Sequence, residues 1–147
     1  MKNKQPRYLN IGCGSTIFPK PWENQDGRNM PGVDHISGID KLDFPDNTFD
    51  LVYASHVIEH VKRNDIEQVL KEWVRVLKPG GKLRVATPDF EAAIEVYQKT
   101  GKRIENILGL VVGGQSYDYE CHYLIYDKRS LTTFRKMWFN SNSSLES

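Results

Sequence analysis

A chain of 147 residues, 39% hydrophobic and 27% charged, has material for one core and is too apolar for a disordered segment. Lys+Arg 20 against Asp+Glu 19 leaves a net charge of +1, which excludes the broad basic field of a nucleic-acid or membrane-surface binder. The basic start, Met1 to Arg7, is followed by no apolar run, and two cysteines, Cys13 and Cys121, are too few for a disulfide framework and lack zinc spacing. These features predict a cytoplasmic protein with reduced thiols, one domain over residues 1–139, and a polar tail over 140–147.

In chain order, Tyr8 to Ile11 reads as a short strand broken by Gly12 and Gly14. Ser15 to Gly32 is rich in Pro, Asn and Gly, so it is loop, with a short second strand over Trp22 to Gln25 ending at Asp26-Gly27. The loop leaves no room for a full crossover helix, so part of one sheet face is expected to lack its helix. Val33 to Ser37 is a third short strand. Phe49 to Ala54 is mostly apolar without alternation, as in a strand buried on both faces of a parallel sheet.

Ile66, Val69, Leu70, Trp73, Val76 and Leu77 recur at helical spacing, and Lys78-Pro79-Gly80-Gly81 stops that helix. Lys82 to Ala86 gives a fifth strand. Thr87-Pro88 supplies a cap and first residue for a helix carrying Phe90, Ala93, Ile94 and Tyr97. Ile104, Ile107, Leu108, Val111 and Val112 form another helical stripe, ended by Gly113-Gly114. Tyr117 to Tyr126 suits a strand or a packed irregular lid, and Asp127 caps a last helix with Leu131, Phe134 and Trp138 inward. Strands alternating with helices predict an α/β sandwich of three layers, whose ligands bind beyond the carboxyl ends of the strands where strand order reverses.

Gly12-x-Gly14 alone fits many tight turns, but Asp26, near the end of the next strand, is placed to accept bonds from ribose hydroxyls. Ile17 stands where a dinucleotide loop needs its third glycine, so an oxidoreductase site is disfavoured. Four blocks then fall in order: Leu9-Asn10-Ile11-Gly12-Cys13-Gly14, Leu42 to Val52, His56-Val57-Ile58-Glu59-His60-Val61, and Arg75-Val76-Leu77-Lys78-Pro79-Gly80-Gly81. Together they resemble the class I S-adenosylmethionine-dependent methyltransferases, most closely the small type 11 bacterial members met near cell-surface polysaccharide genes. The likeness spans about Tyr8 to Asp89.

The resemblance implies a Rossmann-like methyltransferase sandwich, reduced to about five mainly parallel strands with the terminal strands missing, and S-adenosyl-L-methionine as cofactor. It implies that Asn10, Gly12, Cys13 and Gly14 meet the methionine end, Asp26 the ribose, and Asp40, Lys41 and Leu42 the adenine side, with Ser55 and His56 beyond the fourth strand facing the sulfonium. Asn10 replaces the acidic residue usual ahead of the glycines, and Gly38 an aspartate. His56 is the first candidate for general base and His122 the second. The acceptor is expected to be a small molecule or glycan methylated on oxygen or nitrogen, with no nucleic-acid or membrane partner and with a homodimer as one way to cover the helix-free face. A non-catalytic cofactor-binding or partner subunit is the alternative.

His56 to His60 also fits the H-x-x-E-H protease pattern, which needs a helix, whereas here the segment follows a buried strand. Some methyltransferases with a Glu-His pair at this place hold a divalent ion, which would involve His56, Glu59, His60 and His122. The preferred reading has Glu59 and His60 brace the loop through bonds to neighbouring backbone, so no metal is assigned.

Overall fold

The computed structural model describes residues 5–139, without the side chains of residues 118, 134 and 137–139. The predicted tail 140–147 and the inward side chains of Phe134 and Trp138 lie outside the described residues. Five strands form one parallel sheet: β1 Tyr8–Ile11, β2 Trp22–Asp26, β3 His35–Ile36, β4 Phe49–Ser55 and β5 Leu77–Ala86. Their order is β3-β2-β1-β4-β5, so the direction of winding reverses between β1 and β4. Four helices accompany the sheet: α1 Ile66–Arg75, α2 Phe90–Lys99, α3 Leu108–Val112 and α4 Lys128–Phe139. The α/β sandwich expected from the alternation of elements is present.

Register sorts the side chains into two faces. Leu9 pairs with Val52, Ile11 with Ala54, and Val52 with Leu83, and α1 lays Val69, Leu70 and Trp73 into the same buried cluster. Tyr8, Asn10, Trp22, Asn24 and Tyr53 align on the opposite face. There, as expected, no helix connects β1 to β2. Phe18 from the connecting loop packs edge-on against Trp22, with ring centroids 5.0 Å apart, and also meets Tyr53.

A loop lying on a sheet needs partners for its own backbone. Asn24 supplies them, accepting from Phe18 N at 3.0 Å and donating to Phe18 O at 2.9 Å. Asn10 donates to Thr16 O at 2.9 Å and to Asn24 Oδ1 at 3.1 Å. A carboxylate in place of Asn10 has no proton for either bond.

Three local expectations need correction. Lys78 to Gly81 is not a spacer after α1. The helix stops at Arg75 and β5 already starts at Leu77, but pairing jumps from Phe49–Leu77 to Leu51–Lys82, so these residues bulge out of the ladder. Gly80 takes φ +77°, and a Cβ on Gly81 would stand 2.9 Å from Lys78 O. The cap of α2 is Asp89, whose carboxylate accepts from Glu91 N at 3.1 Å, and not Thr87. The stripe from Ile104 to Val112 is broken into a 3-10 turn over Ile104–Asn106 and the short α3, and only Ile107 of its apolar residues is buried. Periodicity alone does not say whether a face has anything to pack against.

Asp127 does cap α4, accepting from Ser130 N at 2.6 Å, and Leu131 packs on the core. Tyr117 to Tyr126 is the irregular alternative, with a 3-10 turn over Asp118–Glu120. Trp73 is fully buried in the core, and Trp22 joins the aromatic cluster on the helix-free face. Both cysteines are free. No helix among the described residues is long and apolar enough to cross a membrane.

Candidate active site

The loops after β1 and β4 converge where strand order reverses. Gly12 adopts φ +59°, and a Cβ there would lie 2.7 Å from Val57 Cγ2, so the two loops approach this closely only with glycine. A cleft of about 840 Å³ opens beside them, walled by Gly12, Asp26, Asp40, His56, His60 and Tyr117 among others. That volume suits a nucleoside-sized ligand together with part of an acceptor.

Asp26, at the end of β2, is buried, yet both of its oxygens are engaged. Oδ2 accepts from Gly14 N at 2.9 Å, and Oδ1 accepts from Arg28 N at 2.9 Å and Arg28 Nε at 3.0 Å. Burial pushes the carboxyl up, but the Arg28 guanidinium and the two backbone amides outweigh it and hold Asp26 below the usual carboxylate range. Arg28 in turn lies over the Tyr117 ring, 4.8 Å from its centre. The lid segment is thereby tied to the acidic residue at the cleft. The Asp26-Gly27-Arg28 turn was the available sequence signal for this pair.

His56 sits one residue beyond β4 at φ +55°, a left-handed conformation that a side chain rarely adopts, with its backbone N donating to Ala86 O at 2.9 Å. Its imidazole is largely exposed in the cleft, and Nδ1 lies 3.3 Å from Glu59 Oε1. The segment Ile58–His60 is a single 3-10 turn, which does not supply the helix a protease pattern requires.

Of the residues assigned to the cofactor or to catalysis from sequence, four line the cleft: Gly12, Asp26, Asp40 and His56. Gly14 serves it indirectly through Asp26. Cys13 is buried, and burial followed by the Asp26 charge pushes its thiol up to about 11, so it stays protonated. Leu42 is a core residue, and Asn10 holds the loop over the opposite face. Lys41 is exposed, and neither it nor Ser55 reaches the cleft wall. His122 lies beside a separate small cavity between α2 and the lid. Ser37 and Ile39, which no motif marked, do line the cleft.

The wall carrying Ile39 and Asp40 is fastened from behind. Trp73 Nε1 donates to Ile39 O at 2.9 Å, Glu72 Oε1 accepts from Leu42 N at 2.7 Å, and Arg75 donates to Leu42 O and Phe44 O at 3.1 and 2.8 Å. The first motif block after the glycines is thus laced to the block containing Arg75. Both have a structural reason to occur together.

The methyltransferase-domain family model matches residues 9–85, more than half of the chain. The chain belongs to the class I S-adenosylmethionine-dependent methyltransferases. Membership implies S-adenosylmethionine as cofactor, and the cleft fits it in size, in position at the strand-order reversal, and in offering a carboxylate beside a glycine turn.

Among curated proteins, the chain is 33% identical over 107 residues to the sterol 4-C-methyltransferase strm-1 of Caenorhabditis elegans, covering 66% of this chain and 31% of that one. It is 36% identical over 101 residues to the ubiquinone/menaquinone biosynthesis C-methyltransferase UbiE of an Enterobacter species, covering 63% of this chain and 39% of the other. The chain therefore spans between about three and four tenths of these relatives' length. A solved structure from Thermotoga maritima, described as a SAM-dependent methyltransferase, possible histamine N-methyltransferase, superposes with a TM-score of 0.59 at 20% identity, covering 91% of this chain and 63% of the other. It supports the fold.

Proposed function

We propose that this methyltransferase domain binds S-adenosylmethionine in the cleft beyond β1 and β4 and methylates an oxygen or nitrogen of a small-molecule or glycan acceptor. The observation that carries the proposal is the placement of Gly12, Asp26 and His56 on one cleft at the reversal of strand order. When bound, the cofactor supplies an electrophilic methyl group on a good leaving group, so alignment and exclusion of water contribute most of the catalysis.

Asp26 would hold the ribose hydroxyls, with Arg28 swinging out to release its oxygens. Ile39 and Val57 offer apolar walls, and Asp40 a carboxylate for an exocyclic amine. His56 would take the acceptor proton through its exposed imidazole, since its strained backbone aims the ring into the cleft. His122 is the reserve base, and its place outside the cleft makes it the weaker one.

Calorimetric titration with S-adenosylmethionine tests the first part. Micromolar binding is expected, weakened about tenfold in Asp26→Asn, and no heat at millimolar cofactor from folded protein sinks the proposal. Methyl transfer to a panel of hydroxyl and amine acceptors tests the second, with His56→Gln expected to lower kcat about a hundredfold while leaving cofactor affinity unchanged. The names of the two curated relatives favour a second reading, an acceptor carbon, and identification of the methylated atom in the product separates the two.

A further inference from the structure

We infer that Arg28 is an internal competitor for the cofactor's ribose, and that Tyr117 joins this competition to the lid, so that cofactor binding and release of the lid tip are one event. The inference rests on the reading that Asp26 holds the ribose, and it concerns what occupies Asp26 before a cofactor arrives.

An ionised carboxylate offers about four lone-pair sites to donors, and those of Asp26 are all in use. Backbone amides take one on each oxygen, Arg28 N on Oδ1 and Gly14 N on Oδ2, both at 2.9 Å. The guanidinium takes the others, through Nε at 3.0 Å and Nη2 at 3.5 Å. The amide bonds belong to the two turns and persist whatever the side chains do. The guanidinium bonds depend on the rotamer of Arg28, whose side chain is 36% exposed against 8% for Asp26. A ribose with two hydroxyl donors therefore finds sites on Asp26 only after this side chain swings away.

The guanidinium also fills the space a sugar would need. It stands over the glycine turn, with Nη2 3.8 Å from where a Cβ on Gly14 would lie, and the Tyr117 ring centre is 4.8 Å from its Cζ. Asp26, Arg28 and Tyr117 all line the same cleft. Arginine is the side chain able to make both contacts, since its planar fork matches a carboxylate and its face stacks on an aromatic ring.

The lid tip is built to move on this contact. Within the tip, Glu120 N donates to Tyr117 O at 3.0 Å and Ser116 N to Glu120 Oε2 at 2.8 Å. Ser116 N first, and more weakly the Tyr117 hydroxyl and the Arg28 charge, hold the Glu120 carboxyl below its ordinary range. The base of the lid is fastened elsewhere, by Tyr123 N and Leu124 N donating to Glu59 O at 2.8 and 3.2 Å. Departure of Arg28 thus frees the tip while the base stays. By linkage, whatever factor the fastened tip takes from cofactor affinity, bound cofactor takes from the fastening.

Calorimetric titration of the whole chain, Arg28→Ala and Tyr117→Ala with S-adenosylmethionine tests the competition. Arg28→Ala should bind about tenfold more tightly, the reverse of what removing a cofactor contact does. Tyr117→Ala, which leaves Asp26 untouched, should bind about threefold more tightly, the worth of an exposed cation–π contact. Adenosine, which keeps the ribose, should gain in Arg28→Ala as the cofactor does, and adenine should not. In the parent, S-adenosylmethionine should quicken chymotryptic cleavage at Tyr119 about fivefold, whereas Arg28→Ala should be cleaved fast without cofactor and no faster with it. Weaker or unchanged cofactor affinity in Arg28→Ala overturns the inference alone, as does a cofactor that slows cleavage equally in both proteins. No binding by either protein overturns the inference together with the methyl-transfer reading beneath it.

Discussion

From Tyr8 to Ala86 the large side chains are mostly buried, whereas from Phe90 to Tyr126 most remain within reach of water. In the first region Leu9, Ile11, Phe49, Val52, Ile58 and Trp73 are wholly excluded from solvent. In the second, Ile104, Leu108, Leu110 and Tyr119 are exposed, and Ala93, Ile107 and Tyr126 are the buried members among the described residues. The first region is held by a continuous ladder with α1 on one face. The second hangs from it by a few bonds, among them the pair of amides on Glu59 O and the contact between His60 Nδ1 and Cys121 O. The region that carries the candidate cleft is thus the more tightly packed one, and the lid that reaches the cleft is the weakly attached one. Local opening free energies should divide along this line.

The largest effect expected from breaking the contrast is at Trp73, which is fully buried and donates to Ile39 O. Trp73→Ala should destabilise the protein by about 3–5 kcal/mol, and Ile104→Ser, on an exposed turn, by less than about 0.5 kcal/mol. Urea denaturation of the two variants measures the difference, and equal losses would remove the distinction between the regions.

A middle-sized effect is expected at Gly113, where φ is +80° and a Cβ would stand 1.7 Å from Glu120 O. Gly113→Ala cannot keep that approach and should loosen residues 113–122 by about 2 kcal/mol. Amide exchange should quicken there while β1 and β4 stay protected. Uniform loss of protection would show the lid to be integral to the core.

The smallest effect sharpens the comparison from the core side. Hydrogen bonds from Arg75, with that from Leu42 N, hold Glu72 below its ordinary 4.5 despite partial burial. A depressed carboxyl contributes stability that is present above its unfolded value and lost as pH falls through the folded one. Glu72→Gln should cost about 1 kcal/mol at neutral pH and flatten the acid limb of the stability curve below pH 4.5. An unchanged acid limb would mean that Glu72 is not among the carboxylates that set it.

Much of this was legible in the residues themselves. The strands at Tyr8, Trp22 and Phe49, the helix through Trp73 and the turn at Gly12 follow from period, apolar runs and glycine, because each is decided by neighbours in the chain. The blocks at Gly12, Leu42, His56 and Arg75 identified the family for the same reason: they are local and ordered.

The uses of particular side chains were not legible, because they depend on what another element brings near. Asn10, expected at the methionine end, ties a loop to Asn24, and Leu42, expected on the adenine side, lies in the core. Arg28 closes on Asp26, Arg75 laces the wall behind Asp40, and His122 comes beside His60 across 62 residues. The chain determined by itself which segments become strands, helices and turns. Only the tertiary structure decided which polar groups meet, since burial and hydrogen-bond partnership are properties of packed pairs and not of single residues.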